Sequence, residues 1–560
     1  MTRAVQVERL KFRGGAALLA DPFYYLSNFE MVLASLAARY ADLLSPQEHR
    51  FIARFGALPQ APRALLVRMV MRRGGYFRSS RLNYPEIGET SAAVTPLIEA
   101  GWVEATPALD LSQLQQLFTT AELLGFFPSS WPYRNLKKTD LAAVLRTQHP
   151  ECKPLQAWCS DTSERVYHLT IGSLCERFRL MFFGNSRQDW REFVLRDLGI
   201  FSYESIPTGL QSRPFSTRGH IDAFEQLHRC REWLETGLDL DIIRNAIPPP
   251  TADSDWLEDR RQKLLFLVAR AYERQGHGRL ALELYSICTH RGARARVMRL
   301  RERERRQAAR MLPRLNRQQR ICESPRGEMP RVPEFEMVLD PPRGDCSVEH
   351  CVRSHLAGQV QENTSVHYVE NGLVNSLFGL LCWKAIFAPI PGAFFHNFQY
   401  GPADLSSGNF FERRHREFAE CLDQLQSGDY KSAIRRTFGA KTGIQNPFVA
   451  WRLLSRQLLG LALRCFPAAH LRLWFEWIAR DVRENRAGFP DLVQFWPSER
   501  RYRLIEVKGP GDRLQGNQRR LLEFCAAHQM PVAVCYVRWA HLDEKKDLTA
   551  AKQNGATSSA

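Results

Sequence analysis

The feature that most constrains this chain is an unbroken run of regular-structure signals over residues 488–537, GFPDLVQFWPSERRYRLIEVKGPGDRLQGNQRRLLEFCAAHQMPVAVCYV. DLVQFW reads as a strand and PSER as a turn. RYRLIEVK alternates Arg501, Arg503, Ile505 and Val507 with Tyr502, Leu504, Glu506 and Lys508, the period of two of a strand. After GPGD, LQGNQRRLLEFCAAHQ carries Leu521, Leu522, Phe524 and Cys525 at helical spacing, and PVAVCYV is a short apolar run of the kind buried in a sheet. Strand, hairpin, strand, helix, strand predicts a small mixed sheet flanked by helices. It also puts particular side chains in particular places. Asp491 opens the first strand, and Glu506 and Lys508, two apart on the second, leave the same face.

Two carboxylates converging from adjacent strands suit a hard divalent cation, because Mg²⁺ and Mn²⁺ prefer oxygen ligands. The carbonyl of Val507 can add another oxygen. A lysine beside them can orient a water or stabilise charge on a phosphate in the transition state. The expected chemistry is metal-assisted phosphodiester hydrolysis, with Mg²⁺ or Mn²⁺ as the cofactor. By itself D-x14-E-x-K is a weak pattern, and its flanks carry the weight.

The rest of the chain reads as mostly helical and basic. With 560 residues, 44% of them apolar, it can bury several cores, and its net charge of +17 favours a polyanionic partner such as nucleic acid. Residues 1–80 predict a helical basic domain with Arg68, Arg72, Arg73, Arg78 and Arg81 as candidate DNA contacts. Within 81–155, LSQLQQLFTTAELLGFF, the turn-rich SSWPYRN and LKKTDLAAVL predict two short helices joined by a loop, with Lys137 and Lys138 opening the second. The spacing resembles a SAP-type DNA-binding module.

Residues 156–330 predict helices almost throughout. There LLFLVARAYERQGHGRLALELYSIC resembles one tetratricopeptide repeat, with Ala271, Tyr272, Gly276, Ala281, Tyr285 and Cys288 at the packing positions. Twelve arginines fall within 291–320, against Glu302 and Glu304, a composition that suits phosphate oxygens. The Pro- and Gly-rich 324–345 reads as a linker into a C-terminal domain at 331–545, and 546–560 as a disordered tail. The apolar stretch 373–390 contains Lys384 and ends at Pro389, so a buried helix fits better than a membrane span. Thirteen cysteines and an N-terminus without an apolar signal core predict no export and mostly free thiols in a reducing compartment. Cys346, His350 and Cys351 lack a second pair at zinc spacing.

GFPDL and IEVKGPGDRLQ resemble the PD-(D/E)XK nuclease fold and, within it, the VRR-NUC domain. Together with HYVENGLVNSLFGLLCWKAIF and PIPGAFFHNFQYGPADLSSGNFFERR, the chain resembles a bacterial member of the Fanconi-associated nuclease family over at least residues 346–540, and more loosely upstream, including DWREFVLRDLGI. The resemblance implies an α + α/β fold, a mostly helical N-terminal half followed by the nuclease domain. It implies metal ligands at Glu370, Asp491, Glu506 and the Val507 carbonyl, and catalytic roles for Lys508 and Gln518. It also implies a loop at Gly509, Pro510, Asp512, Arg513 and Leu514, with Arg513 facing DNA. Glu370 is expected from a helix at the mouth of the apolar stretch. Asn517 departs from the basic residue expected in eukaryotic relatives, which bears on the 5′-phosphate pocket.

The implied activity is endonuclease action on 5′ flaps and branched DNA, with 5′-to-3′ exonuclease action, in interstrand-crosslink repair. The implied partner is flapped or branched DNA, the implied state a monomer, and the implied location the bacterial cytoplasm, nucleoid-associated when acting on DNA. Eukaryotic members add a ubiquitin-binding zinc finger, which is not read in this sequence. A junction-resolving nuclease of the same fold, or a non-catalytic branched-DNA scaffold, stands as the alternative.

Overall fold

The computed structural model describes residues 21–540, except 73, 161, 186–187, 189, 191–201, 208, 210–211, 252, 312–330, 342–345 and 360–363. The chain divides into two compact units: Met1–Phe201 with Phe215–Arg229, and Ser202–Pro214 with Cys230–Ala560.

In the first unit, helices α1 (Tyr24–Tyr40), α2 (Pro46–Ala57), α3 (Gln60–Val70) and α4 (Thr90–Glu99) enclose an aromatic core. Helix α2 starts where it does because Ser45 and Glu48 form a reciprocal capping box. It lays Phe51 and Phe55 against Phe29, Trp102 and Phe178. Strands β1 (Tyr76–Arg78), β2 (Val103–Glu104) and β3 (Val166–Leu169) form an antiparallel sheet in the order β1-β3-β2. Among the described residues 1–80 and 156–330 are mostly helical as expected, and this sheet adds one short strand to each. These strands are too short for a period of two to stand out, and β3 pairs with residues some 64 to 92 positions earlier. The expected boundaries at 80 and 155 fall within the stretch of chain that this sheet ties together.

Helices α5 (Leu111–Leu117) and α6 (Thr120–Phe126) each open on a capping box, at Asp110–Gln113 and Thr119–Glu122. A 3-10 segment, Pro128–Tyr133, leads to α7 (Lys138–Gln148). Leu111, Leu114, Phe118, Leu123, Leu141 and Leu145 make their shared core. The loop and the start of α7 lie where the SAP-like spacing put them.

In the second unit, α8 (Asp255–Arg274) packs on α9 (Gly278–Ile287), which packs on α10 (Arg291–Met311). Tyr272, Ala281 and Tyr285 are buried at the repeat-like positions. The arginine-rich run is helical to Met311, and its remainder, 312–320, lies outside the described residues.

A five-stranded sheet follows, in the order β4-β8-β7-β6-β5, with β4 (Glu334–Leu339), β5 (Ser365–Tyr368), β6 (Leu492–Trp496), β7 (Arg501–Lys508) and β8 (Val532–Trp539). β4, β8 and β7 run parallel; β6 and β5 pair antiparallel. β4 overturns the linker reading of 324–345. Its prolines flank the strand, and an edge strand tolerates them, while Phe335, Met337 and Leu339 alternate inward. One face of the sheet buries Val493, Phe495, Tyr502 and Leu504 with Leu471, Trp474, Phe475 and Ile478 of the helix Ala468–Arg480. The other buries Leu492, Ile505 and Val507 with Val352 of α11 (Val348–Gly358). Among the described residues no helix is long and apolar enough to cross a membrane. The stretch 373–390 gives α12 (Gly372–Leu381) and a short helix Trp383–Ile386, both buried.

Candidate active site

Antiparallel pairing sets Leu492 opposite Ile505. One step further along the ladder Asp491 and Glu506 face each other, on the side of the sheet that carries Val493 and Leu504. Asp491 is 8% exposed, Glu506 0% and Lys508 8%. Asp491 lies one residue ahead of β6, and its Oδ2 accepts from the Val507 N–H at 2.9 Å. Its main-chain carbonyl accepts from the N–H groups of Val369 and Glu370, at 2.7 and 3.2 Å. The same residue therefore ties together three parts of the chain, around 369, 491 and 507.

Lys508 Nζ lies 2.7 Å from Glu506 Oε1, close enough for an ion pair. Apart from this lysine, neither Glu506 oxygen has a polar partner among the described residues. Burial, then the charge of Asp491, pushes the Glu506 carboxyl up to about 7, against the pull of Lys508. Burial raises Asp491 to about 6, with the carboxylates of Glu349 and Glu370 adding to it and the Val507 N–H and Lys508 opposing it. One lysine cannot compensate two buried carboxylates, so the pocket has an unmet demand for positive charge. Oxygen donors of this kind fit a divalent cation.

Glu370 reaches the site from the turn between β5 and α12, not from a helix as expected. Its carboxylate is exposed and accepts the Tyr368 hydroxyl. Among the described residues, no three acidic, imidazole or thiol groups converge as a ready-made metal cluster. Burial and the neighbouring carboxylate push the Tyr368 hydroxyl well above its ordinary range, so it remains a donor. Tyr368 and Glu349, in the first turn of α11, were not singled out from the sequence. Only the β5–β6 pairing and the packing of α11 on β5 and β7 bring them near.

The turn bearing Glu370 is anchored by asparagines. Asn371 adopts a left-handed backbone (φ 49°), and its side-chain oxygen accepts the Phe489 N–H at 2.9 Å. Asn375 donates to the carbonyls of Asn371 and Arg486, the latter at 2.7 Å. Gly488 (φ +99°) closes the other side. A Cβ there would lie 2.8 Å from the carbonyl of Asn517, so only glycine lets this loop meet the start of α13 (Gly516–Ala527).

Gln518 sits in that first turn. Its side-chain oxygen accepts the Gln515 N–H at 2.9 Å, half of a capping box, so the oxygen is occupied in capping the helix. In the preceding loop Asp512 accepts the Gly509 N–H at 3.1 Å, and Arg513 is exposed.

The candidate DNA contacts separate by environment. Arg68 pairs with Glu86 and stacks 3.8 Å over Tyr25. Arg78 bridges Glu164 and Glu122 at 2.8 and 2.7 Å. Both guanidinium groups are committed inside the unit, which argues against their reading as open phosphate contacts. Arg72 donates to the carbonyl of Arg81 and is exposed, as are Arg81 and Lys137; Lys138 is half-buried. Arg73 lies outside the described residues.

A mixed sheet with two buried carboxylates and a lysine at the meeting of β6 and β7 is the frame of a nuclease domain, and the VRR-NUC domain family matches residues 425–539. Nucleases of this domain depend on a divalent metal ion. Upstream, the FAN1 HTH domain matches 23–104 and the Fanconi anemia-associated nuclease SAP domain matches 108–158. The chain is 49% identical over 548 residues to a Fanconi-associated nuclease 1 homolog of Pseudomonas aeruginosa, covering 94% of this chain and 97% of that one. A homolog from Arabidopsis thaliana is 23% identical over 604 residues, with 92% and 67% covered. A crystal structure of paFAN1 bound to 2nt 5′ flap DNA with gap superposes with a TM-score of 0.82 at 49% identity, covering 93% of this chain and 99% of that one. The chain belongs to the Fanconi-associated nuclease family, and it is a nuclease.

Proposed function

We propose that this nuclease cleaves the DNA backbone at 5′ flaps and related branches, with 5′-to-3′ exonuclease action, in the repair of interstrand crosslinks in a bacterial cytoplasm. The observation that carries the reading is the buried Glu506 carboxylate, facing Asp491 with Lys508 alone to balance the two. Asp491, Glu506, the Val507 carbonyl and a rotated Glu370 would hold Mg²⁺ or Mn²⁺. The ion, when bound, supplies Lewis acidity at the phosphate. Lys508, beside Glu506, would orient water or meet developing negative charge. The paFAN1 complexes with 1nt and 2nt 5′ flap DNA support a flapped substrate. Exposed Arg72, Arg81, Lys137 and Arg513, with half-buried Lys138, are the cations we assign to duplex backbone.

End-labelled 5′-flap, 3′-flap, four-way-junction and plain duplex DNA of one sequence test the proposal. The expected result is incision near the branch of the 5′ flap with Mg²⁺ or Mn²⁺ and none in EDTA. Preferential cutting of the four-way junction would favour a junction resolvase instead, and metal-independent cutting would refute the site.

The anchoring asparagine gives a second expectation. Asn371→Ala removes the bond to Phe489 and strains a left-handed position. Activity should fall roughly 10- to 100-fold, as when partners that orient metal ligands are lost. More Mg²⁺ should be needed for half-maximal rate, with flap affinity unchanged. Asn371→Asp keeps the acceptor oxygen and should recover much of the rate. An unaltered Mg²⁺ requirement in Asn371→Ala would show that the turn does not position Glu370.

A further inference from the structure

The short segment between α6 and α7 leaves in water what a folded domain ordinarily hides. Trp131 is 60% exposed, and Tyr133 and Leu136 are each 38% exposed. The segment is not slack. Pro128 and Pro132 fix the backbone of the 3-10 turn, and the Trp131 carbonyl accepts the Arg134 N–H at 3.1 Å. The indole is therefore presented on a stiff support, so that engaging it costs little ordering entropy.

Its surroundings are cationic. The Arg134 guanidinium lies 5.6 Å from the ring centre, exposed Lys137 directly precedes α7, and Lys138 opens it. Of the acids closest in sequence, Glu122 is paired with Arg78, leaving Asp140 in the first turn of α7. An exposed flat aromatic ringed by cations complements a ligand that is flat and apolar on one side and anionic on the other. Nucleotides have that form: a base with a π-face, joined to a phosphate. Base–aromatic stacking is indifferent to sequence, as a structure-selective enzyme needs.

We propose that Trp131 stacks on a nucleobase exposed at a discontinuity of branched DNA, while Arg134 and Lys137 hold the adjoining phosphates. The proposal deepens the flap-nuclease reading and rests on it. Two sources of the base exist, an unpaired flap nucleotide or the open face of a base pair at a gap. Continuous duplex offers neither.

The test is equilibrium binding of the full chain in EDTA, so that nothing is cut, over a series of salt concentrations. The DNAs are a gapped duplex with a short 5′ flap, the same gapped duplex without the flap, and a continuous duplex in a covalently closed circle. Trp131→Ala should weaken binding to the flapped DNA by roughly 5- to 100-fold, the usual cost of one lost stack. The slope of log K against log[salt] should not change, because stacking releases no counterions. Trp131→Tyr should retain most of the affinity. Lys137→Glu should do the reverse, flattening the slope on all three DNAs. Loss on the flapless gap as well assigns the base to the open pair, and loss on the flap alone assigns it to the flap. Wild-type affinity in Trp131→Ala, or an equal loss on the closed duplex, overturns the proposal. A fall in melting temperature accompanying the loss would point to misfolding, and failure of Trp131→Tyr to restore binding at wild-type stability would also overturn it. If the wild type itself does not prefer flapped DNA, the flap reading fails instead.

Discussion

Glu506→Gln should abolish measurable flap cleavage and, in metal-free buffer above neutral pH, make the protein more stable. The first effect follows from losing a charged oxygen donor at the cation. Metal-borne charge stabilisation is worth several kcal/mol, so the rate should fall by roughly 10³-fold or more, with flap binding preserved. The second follows from burial. In the folded, metal-free protein Glu506 titrates near 7 and Asp491 near 6, each above its ordinary value of 4.5 or 3.8. Between those limits the folded state holds protons that the unfolded state has released. Stability from these groups is therefore full below about pH 4 and falls as pH rises through 6 to 7. Replacing Glu506 by its neutral isostere removes its share, at most about 3 kcal/mol. Melting temperatures in EDTA should favour the variant at pH 8 and converge with the wild type near pH 4. A variant less stable than the wild type at pH 8 would mean that the Lys508 pair outweighs burial. Saturating Mg²⁺ should raise the wild type's melting temperature and leave the variant nearly unmoved, since only a bound cation shifts the equilibrium.

Asp404→Ala should be the most destabilising single change in the loop that follows the long apolar stretch. Arg414 is fully buried, and its guanidinium meets both Asp404 oxygens at 2.8 Å while stacking 4.4 Å over Phe410. Arg413 adds a third bond to the same carboxylate at 2.7 Å. Removing Asp404 strands a buried cation, which costs about 3–5 kcal/mol. Joint replacement, Asp404→Leu with Arg414→Met, should return most of the loss, because an apolar pair has no charge to desolvate. Denaturant unfolding followed through the second unit measures both. A loss under about 1 kcal/mol for Asp404→Ala would mean that water reaches Arg414.

The sequence by itself determined the centre of the nuclease domain. Period-two alternation in 501–508 and the apolar run after 531 are local signals, and the strands lie there with only end residues shifted. Asp491, Glu506 and Lys508 were legible for the same reason, since two neighbouring strands with a short turn leave little choice of register. The repeat-like and SAP-like helices announced themselves through helical spacing, although the expected first SAP-like helix is two, α5 and α6, parted by the cap at Thr119.

What the tertiary structure alone decided lies at long range. The edge strand Glu334–Leu339 is a strand because β8 offers it a partner some two hundred residues away. The small sheet of the first unit likewise joins strands too short to mark themselves. Glu370 comes to the site on hydrogen bonds to the carbonyl of Asp491, and Tyr368 and Glu349 come with it. Charge count could not sort the arginines. Arg68 and Arg78 look like surface cations in the sequence, yet carboxylates at 86, 122 and 164 take them inward. Local pattern is read within a few residues, whereas burial and pairing depend on which distant segment fills the neighbouring space, and a single sequence does not state that.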